Sequence, residues 1–379
     1  MRIAFALYDW FPFGGLERDC LAIAQLCAAA GHEVVMLART WDGPRPHGIE
    51  VRTFGRSGWT IPMRNRRFFA QLREVRKREQ FDGFVGFNKL PGLDVYYGAD
   101  ACYAAGAYAM PKWKRWLPRH RHYLAVERAV FAREHGVVAL QYFDRDIEAY
   151  QQTYGTAREQ FVVLPPNAER IPYGDPDREQ ARNATRAELG ADANELLLLC
   201  VGSAFLRKGF DRAVEALASL RADLRQRVRL VVLGRDDAEI LTQHAARLGI
   251  GDRVHVLGGR NDATRWFLGS DLLLHPARSE NAGAVIVEAL HFGLPSIVTA
   301  RCGYASHVIA ADAGSALADP FEQRALDAAL LRGLDDATRA QWRADALRYA
   351  ATGAIYGCRE RAAEAILAAI AAKRRKTVV

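Results

Sequence analysis

The chain has 379 residues, 52 Lys and Arg against 44 Asp and Glu, a net charge of +8, and hydrophobic residues at half its positions. That length exceeds what one hydrophobic core usually serves, so two domains are expected. No apolar run approaches the roughly 18 residues of a membrane-spanning helix, and the charge surplus points to an anionic partner: phosphates, a membrane surface or nucleic acid. Six scattered cysteines with no CxxC pair read as buried free thiols, which argues against a disulfide framework or a metal site.

The first residues, MRIAFALYDWFPFGG, are too short and too aromatic for a signal peptide and read as a strand, Arg2 to Tyr8, running into a loop. Gly14 and Gly15 in that loop permit close backbone approach to a ligand, without forming the GxGxxG fingerprint of dinucleotide binding. A helix from Glu17 to Ala30 follows, with Leu16, Cys20, Ile23 and Cys27 on one face. Strands are expected at Glu33 to Ala38, Ile49 to Phe54, Asp82 to Asn88, Asp94 to Gly98, Gly136 to Leu140 and Phe161 to Leu164. Helices are expected at Asn65 to Glu79, Trp116 to Arg133 and Asp144 to Tyr154. Pro165-Pro166-Asn167 breaks the pattern and reads as a linker.

The second half repeats the alternation, with strands near 196–201, 228–233, 253–257, 272–275 and 295–299, and a helical, alanine-rich tail from about Phe321. Strands alternating with helices predict two doubly wound parallel sheets, an α/β chain of Rossmann type. The expected division is 1–166 and 167–350.

Two segments carry the chemistry. LLLLCVGSAFLRKG (196–209) is a buried strand, a glycine turn and two adjacent cations, Arg207 and Lys208, at the strand end where open α/β sheets bind ligands. Such a pair suits a diphosphate. SENAGAVIVE (279–288) places Glu280 in a turn and Glu288 on the helix that follows, with Ala282, Gly283 and Ala284 between. Free N–H groups at that helix start hold an anion, and carboxylates beside it accept from sugar hydroxyls. Acidic residues near a helix N-terminus are also favoured by the helix dipole alone. The cationic loop and the carboxylate turn together point to a nucleotide-sugar site.

The segment PKWKRWLPRHRHY (111–123) contains Lys112, Lys114, Arg115, Arg119 and Arg121 with Trp113 and Trp116 interleaved and no acid. This composition suits docking on an anionic membrane surface; a solvated basic loop is the alternative. The helix Arg64 to Arg78, with seven cations and one acid, faces either anionic groups or solvent.

These residues carry a family resemblance. FPFGGLERD (11–19), GFNKLPGLDVYYGAD (86–100), RHRHYLAVERAVF (119–131), FLRKG (205–209), GRND (259–262), ENAGAVIVEAL (280–290) and CGYASHVI (302–309) resemble, in order, the retaining glycosyltransferases of the GT-B fold that carry the E-x7-E motif. More narrowly they resemble the lipopolysaccharide core glucosyltransferases that act on an inner-core heptose. The resemblance implies two Rossmann-like domains facing a central cleft, with residues 351–379 returning to the first. It implies a UDP-glucose donor, with Arg207 and Lys208 on the diphosphate, Glu288 on the ribose, Glu280 and the backbone of Ala282 to Ala284 on the sugar, and Arg260 and Asn261 near the base. Gly14 and Gly15 would approach the diphosphate, and Asp19 and Asp100 would face the reaction centre. It further implies a lipopolysaccharide inner-core acceptor, a cytoplasmic enzyme bound peripherally to the inner face of the cytoplasmic membrane, and no nucleic acid partner.

Fixed cations and a helix start stabilise a departing diphosphate without reorganising, so no metal and no cofactor are expected. Two D-x-D strings, Asp144-Arg145-Asp146 and Asp175-Pro176-Asp177, read as helix caps. Asp100 either orients the acceptor hydroxyl or caps the end of a strand. The competing functions are transfer of another hexose or an N-acetylhexosamine, nucleic-acid binding, and a non-catalytic membrane scaffold. His275 and His307 are expected to be structural.

Overall fold

The computed structural model describes residues 1–378 except Phe13, Ala99, Ala109, Lys112, Lys114 and Arg115, and of residues 376–378 the backbone only. The chain divides into two compact units. The first comprises Met1–Pro165 and Gly357–Val379, the second Pro166–Tyr356.

The first unit is a seven-stranded parallel sheet made of β1 (Arg2–Trp10), β2 (Glu33–Trp41), β3 (Glu50–Thr53), β4 (Gly83–Gly86), β5 (Val95–Tyr97), β6 (Val138–Gln141) and β7 (Phe161–Val163). Its order is β3-β2-β1-β4-β5-β6-β7. The central strand is buried on both faces, and its alternation divides the packing. Ile3, Phe5 and Leu7 join the cluster of Cys20, Ile23 and Cys27 from the first helix and of Ala362, Ile366 and Ile370 from the last. Ala4 and Ala6 join the opposite cluster of Phe68, Leu72, Val130 and Phe131. The last helix lies so close to β4 that a Cβ on Gly83 would stand 2.6 Å from Ile370 Cδ1. Its basic end is tied down as well, Lys373 to Asp94 and Arg374 to Asp82.

The second unit is a six-stranded parallel sheet of β8 (Leu196–Val201), β9 (Val228–Leu233), β10 (Val254–Gly258), β11 (Leu272–His275), β12 (Ser296–Thr299) and β13 (Gly314–Leu317). Its order, β10-β9-β8-β11-β12-β13, is the doubly wound arrangement whose ligands bind beyond the carboxyl ends of the strands. Leu198, Cys200, Leu230 and Val232 pack under Phe210, Val214 and Leu217. The sequence does not reveal β13. Its GSAL run holds no β-branched residue, and it pairs because Gly314 passes where a Cβ would stand 1.8 Å from Ser296 O.

Both D-x-D strings open helices, Asp144–Tyr154 and Asp175–Leu189. Asp177 accepts from the Gly174 N–H at 2.7 Å, a capping contact. All six cysteines are free and buried.

One buried group organises the segment after β5. Glu127 is fully buried and accepts from the N–H groups of Tyr103 and Ala104 and from Tyr154 Oη, each at 2.8 Å. Lys89 Nζ stands 2.5 Å from Oε1, the oxygen that accepts from Tyr103, and also donates to Ala101 O. Two of the segments that carry the family resemblance therefore meet in one ion pair, which fixes the chain around residues 101–104. Glu127→Ala strands Lys89 without its carboxylate, so we expect a loss of roughly 3–5 kcal/mol in urea unfolding. A loss under 1 kcal/mol would show that the pair does not hold this segment.

Candidate active site

The loop after β8 turns at Gly202 (φ +135°), where a Cβ would stand 2.6 Å from Lys208 Cε. The glycine thus lets the Lys208 chain lie across the strand end. Asp236 Oδ2 accepts from the Phe205 N–H at 2.7 Å and fixes the loop from the side of β9. The loop ends at Gly209, whose φ is +71° and whose Cβ would stand 2.0 Å from Pro276 O. A glycine is therefore required twice over, by conformation and by the approach of the next strand's exit.

That approach joins two strand ends. The N–H of Arg278 donates to Arg207 O at 2.8 Å, and Arg207 Nη1 donates back to Ser279 O at 2.8 Å. Arg278 forks onto Asp211 with two contacts of 2.6 Å. Thus Arg207 and Lys208, which leave β8, and Ser279 and Glu280, which leave β11, form one cluster.

At its centre is Glu280. Lys208 Nζ contacts Oε2, His275 Nε2 lies 3.4 Å from the same oxygen, and Arg207 Nη1 lies 3.7 Å from Oε1. Burial works against ionisation of this carboxyl. The contacts with His275 and Lys208 outweigh burial and hold it at about 2. His275 is fully buried, and burial pushes its pKa down against the pull of Glu280. A neutral imidazole therefore faces a permanent carboxylate. His275, expected to be structural, stands directly behind the Glu280 carboxylate.

Beyond Glu280 the chain makes a turn braced by backbone bonds from Gly303 to Asn281 O (3.0 Å) and from Tyr304 to Ala282 O (2.9 Å). Gly283, at φ +80°, is the N-cap of the helix Ala284–His291. Ala284 is exposed at its start and Glu288 half-buried on its second turn. Arg207, Lys208, Glu280, Ala282, Gly283 and Ala284 thus lie at neighbouring strand ends, β8 beside β11, with Glu288 on the helix that follows.

Other candidates are placed differently. Arg260 leaves β10, two strands away. Its guanidinium forks onto Asp262 at 2.9 and 3.0 Å and reaches Glu188 at 3.0 Å. Arg260 is engaged within the protein, and the exposed Asn261 stands beside it. In the first unit, Gly14 caps the helix Gly15–Ala29. Both oxygens of Asp19 are taken, by Arg359 Nε at 2.9 Å and Tyr97 Oη at 3.0 Å. Asp19 therefore anchors the last helix, a role that the expected one at the reaction centre leaves out. Asp100 is exposed, and its carbonyl accepts from Tyr150 Oη at 3.1 Å. Of the basic aromatic segment, Lys112, Lys114 and Arg115 lie outside the described residues. Trp113 and Trp116 are 64% and 75% exposed, and Arg119 and Arg121 are exposed with them.

Residues 181–349 match the model of the glycosyl transferases group 1. The chain is 40% identical, over 97% of its length and 98% of the relative's, to the lipopolysaccharide glucosyltransferase WaaG of Escherichia coli (strain K12). It is similar to the crystal structure of WaaG, a glycosyltransferase involved in lipopolysaccharide biosynthesis, with a TM-score of 0.84 over 96% of this chain and 99% of that one. At 18% identity it shares its fold with Anabaena Alr3699/HepE in complex with UDP-glucose, TM-score 0.70, covering 99% of this chain and 100% of that one.

Two outcomes test the site. A carboxyl lowered from 4.5 to about 2 on folding contributes stability that is fully present above its unfolded pKa and lost as pH falls through the folded one. Denaturant unfolding should therefore show wild type more stable than Glu280→Gln at pH 7, with the gap narrowing below about pH 4.5. A gap independent of pH would contradict the ionised state assigned to Glu280. Gly209→Ala should lower stability by at least about 2 kcal/mol, since the left-handed conformation alone costs 1–2 and the contact with Pro276 O adds to it; an unchanged melting temperature would contradict the close approach.

Proposed function

The chain belongs to the group 1 glycosyl transferases, and from that premise we propose that it moves glucose from UDP-glucose to a heptose of the lipopolysaccharide inner core, with retention at the anomeric carbon. The observation that carries this reading is the joined cluster of Arg207, Lys208 and Glu280 beside the glycine-capped helix at Ala284. The likeness to WaaG over nearly the whole of both chains supports the acceptor class.

In this reading the diphosphate lies against Arg207, Lys208 and the N–H groups at the helix start. The bond from the anomeric carbon to the β-phosphate oxygen breaks, and that oxygen carries negative charge which the two cations and the helix end stabilise. The acceptor oxygen bonds to the same face of the anomeric carbon, and its proton passes to the departing phosphate oxygen. Glu280, held ionised, cannot serve as the acid. It accepts from donor-sugar hydroxyls and shares Lys208 with the phosphate. Glu288 accepts from the ribose. Asp100, exposed after β5, is assigned to the acceptor hydroxyl, with Lys89 and Glu127 setting the path of the chain that follows it. We assign charge stabilisation to these fixed groups, with no metal taking part.

The enzyme is proposed to work at the cytoplasmic face of an anionic membrane. Among the described residues no helix is long and apolar enough to cross a bilayer. Trp113, Trp116, Arg119 and Arg121 suit peripheral docking, with the aromatic rings at headgroup depth and the cations on anionic lipid.

The test is transfer from radiolabelled UDP-sugars to lipopolysaccharide truncated at the inner core, with and without chelator. Glucose should be incorporated at the same rate in both. Loss of transfer on chelation would overturn the metal-free assignment, and transfer of galactose or N-acetylglucosamine in place of glucose would overturn the donor.

A further inference from the structure

The helix Ile61–Arg78 and the helix Pro118–Phe131 leave a groove of about 1020 Å³ between them. This is the upper end of the range for ligand pockets. Ile61, Met63, Phe69, Leu117 and Val126 make its walls apolar, and Ile61, Met63 and Leu117 are exposed. A second hollow of about 340 Å³ continues it along the first helix, sharing Arg66, Phe69 and Pro91 and reaching Arg76. From Ile61 to Arg76 the helix runs roughly 22 Å at 1.5 Å per residue. One leaflet's acyl chains span about 15 Å, half the bilayer core, so the trough is long enough for one chain.

The charge is arranged around the apolar floor. His122 is buried in it, 3.0 Å from Asn65 Nδ2 and stacked on Phe69. Burial, and then the nearby Arg66, pull its pKa below the usual imidazole value, so the floor is neutral at physiological pH. Arg66, Arg67, Arg119 and Arg121 line the rim, with no acid among the lining residues. None of the four has an ion-pair partner among the described residues. Four guanidiniums without carboxylates around an apolar trough are complementary to a molecule with an anionic head and a hydrocarbon tail.

We propose that this groove takes one acyl chain of an anionic phospholipid, lifted from the bilayer, with its phosphate held by Arg66, Arg119 and Arg121. The proposal rests on the membrane reading above and deepens it, because docking at headgroup depth requires no chain to leave the bilayer. Seating one chain would fix the first unit's depth and tilt on the membrane, which interfacial tryptophans alone leave free.

The probe is myristoyl lysophosphatidylglycerol, kept monomeric and titrated into the full chain by native mass spectrometry. Wild type should bind one molecule, and lysophosphatidylcholine should bind at least tenfold more weakly. Ala125→Trp, at an exposed helix position that lines the groove, should fill the trough and weaken binding at least tenfold with an unchanged melting temperature. Arg66→Ala combined with Arg121→Ala should remove the preference for the anionic lipid. Equal binding by wild type and Ala125→Trp, or no binding by wild type, would overturn the groove. Sedimentation with phosphatidylglycerol vesicles separates the two claims. A chain that pellets with vesicles yet takes up no lysolipid leaves peripheral docking standing without the groove, and one that does neither overturns both.

Discussion

The contact between Lys208 and Glu280 is the constraint from which the rest of the second unit's site follows. Two loops that leave neighbouring strands would ordinarily diverge, each carrying its own charge into solvent. Here Gly209 lets one loop pass directly over Pro276 of the other, Arg207 and Ser279 exchange backbone and side-chain hydrogen bonds, and the lysine closes on the carboxylate. Exposed pairs of this kind contribute little. This pair is largely buried and has His275 behind it, so the charge state of Glu280 is fixed across the physiological range. A site that is to meet a charged diphosphate is thereby assembled in advance, with little reorganisation left for the moment of reaction.

The first unit rests on a comparable arrangement. Glu127 is surrounded by donors from three directions, and with Lys89 it determines where the chain runs after Asp100. Asp19 does similar work by clamping Arg359 and Tyr97, the last residue of β5. Carboxylates that appear equivalent in the sequence thus divide into anchors, such as Glu127 and Asp19, and groups left facing outwards, such as Asp100. Only the packing separates them.

Much of the fold was legible because period-2 and period-3.6 patterns are strong in a chain whose strands are buried on both faces. The spans 196–201, 228–233 and 272–275 coincide with β8, β9 and β11, since each is a short apolar run bounded by turn residues. β13 was not legible, because its residues pair through a backbone approach that only Gly314 allows. In the site, Arg207, Lys208, Glu280 and the glycine-capped helix start were visible from residue type and spacing. The part played by His275 was not, because a histidine at a strand end carries no mark of the carboxylate that folds back onto it. Arg260 is a second case. The family resemblance gave it a place near the base, and the fold adds partners for its guanidinium: the local Asp262 and also Glu188, from a helix 72 residues earlier, which no local pattern announces.

The central claim is that the strand ends of β8 and β11 make one pyrophosphate-binding site. Calorimetric titration of uridine diphosphate into wild type and Lys208→Ala tests it directly. Wild type should show one site, and the variant an affinity at least tenfold lower, about 1.4 kcal/mol. Uptake that is unchanged by the substitution, or absent in wild type, would contradict it.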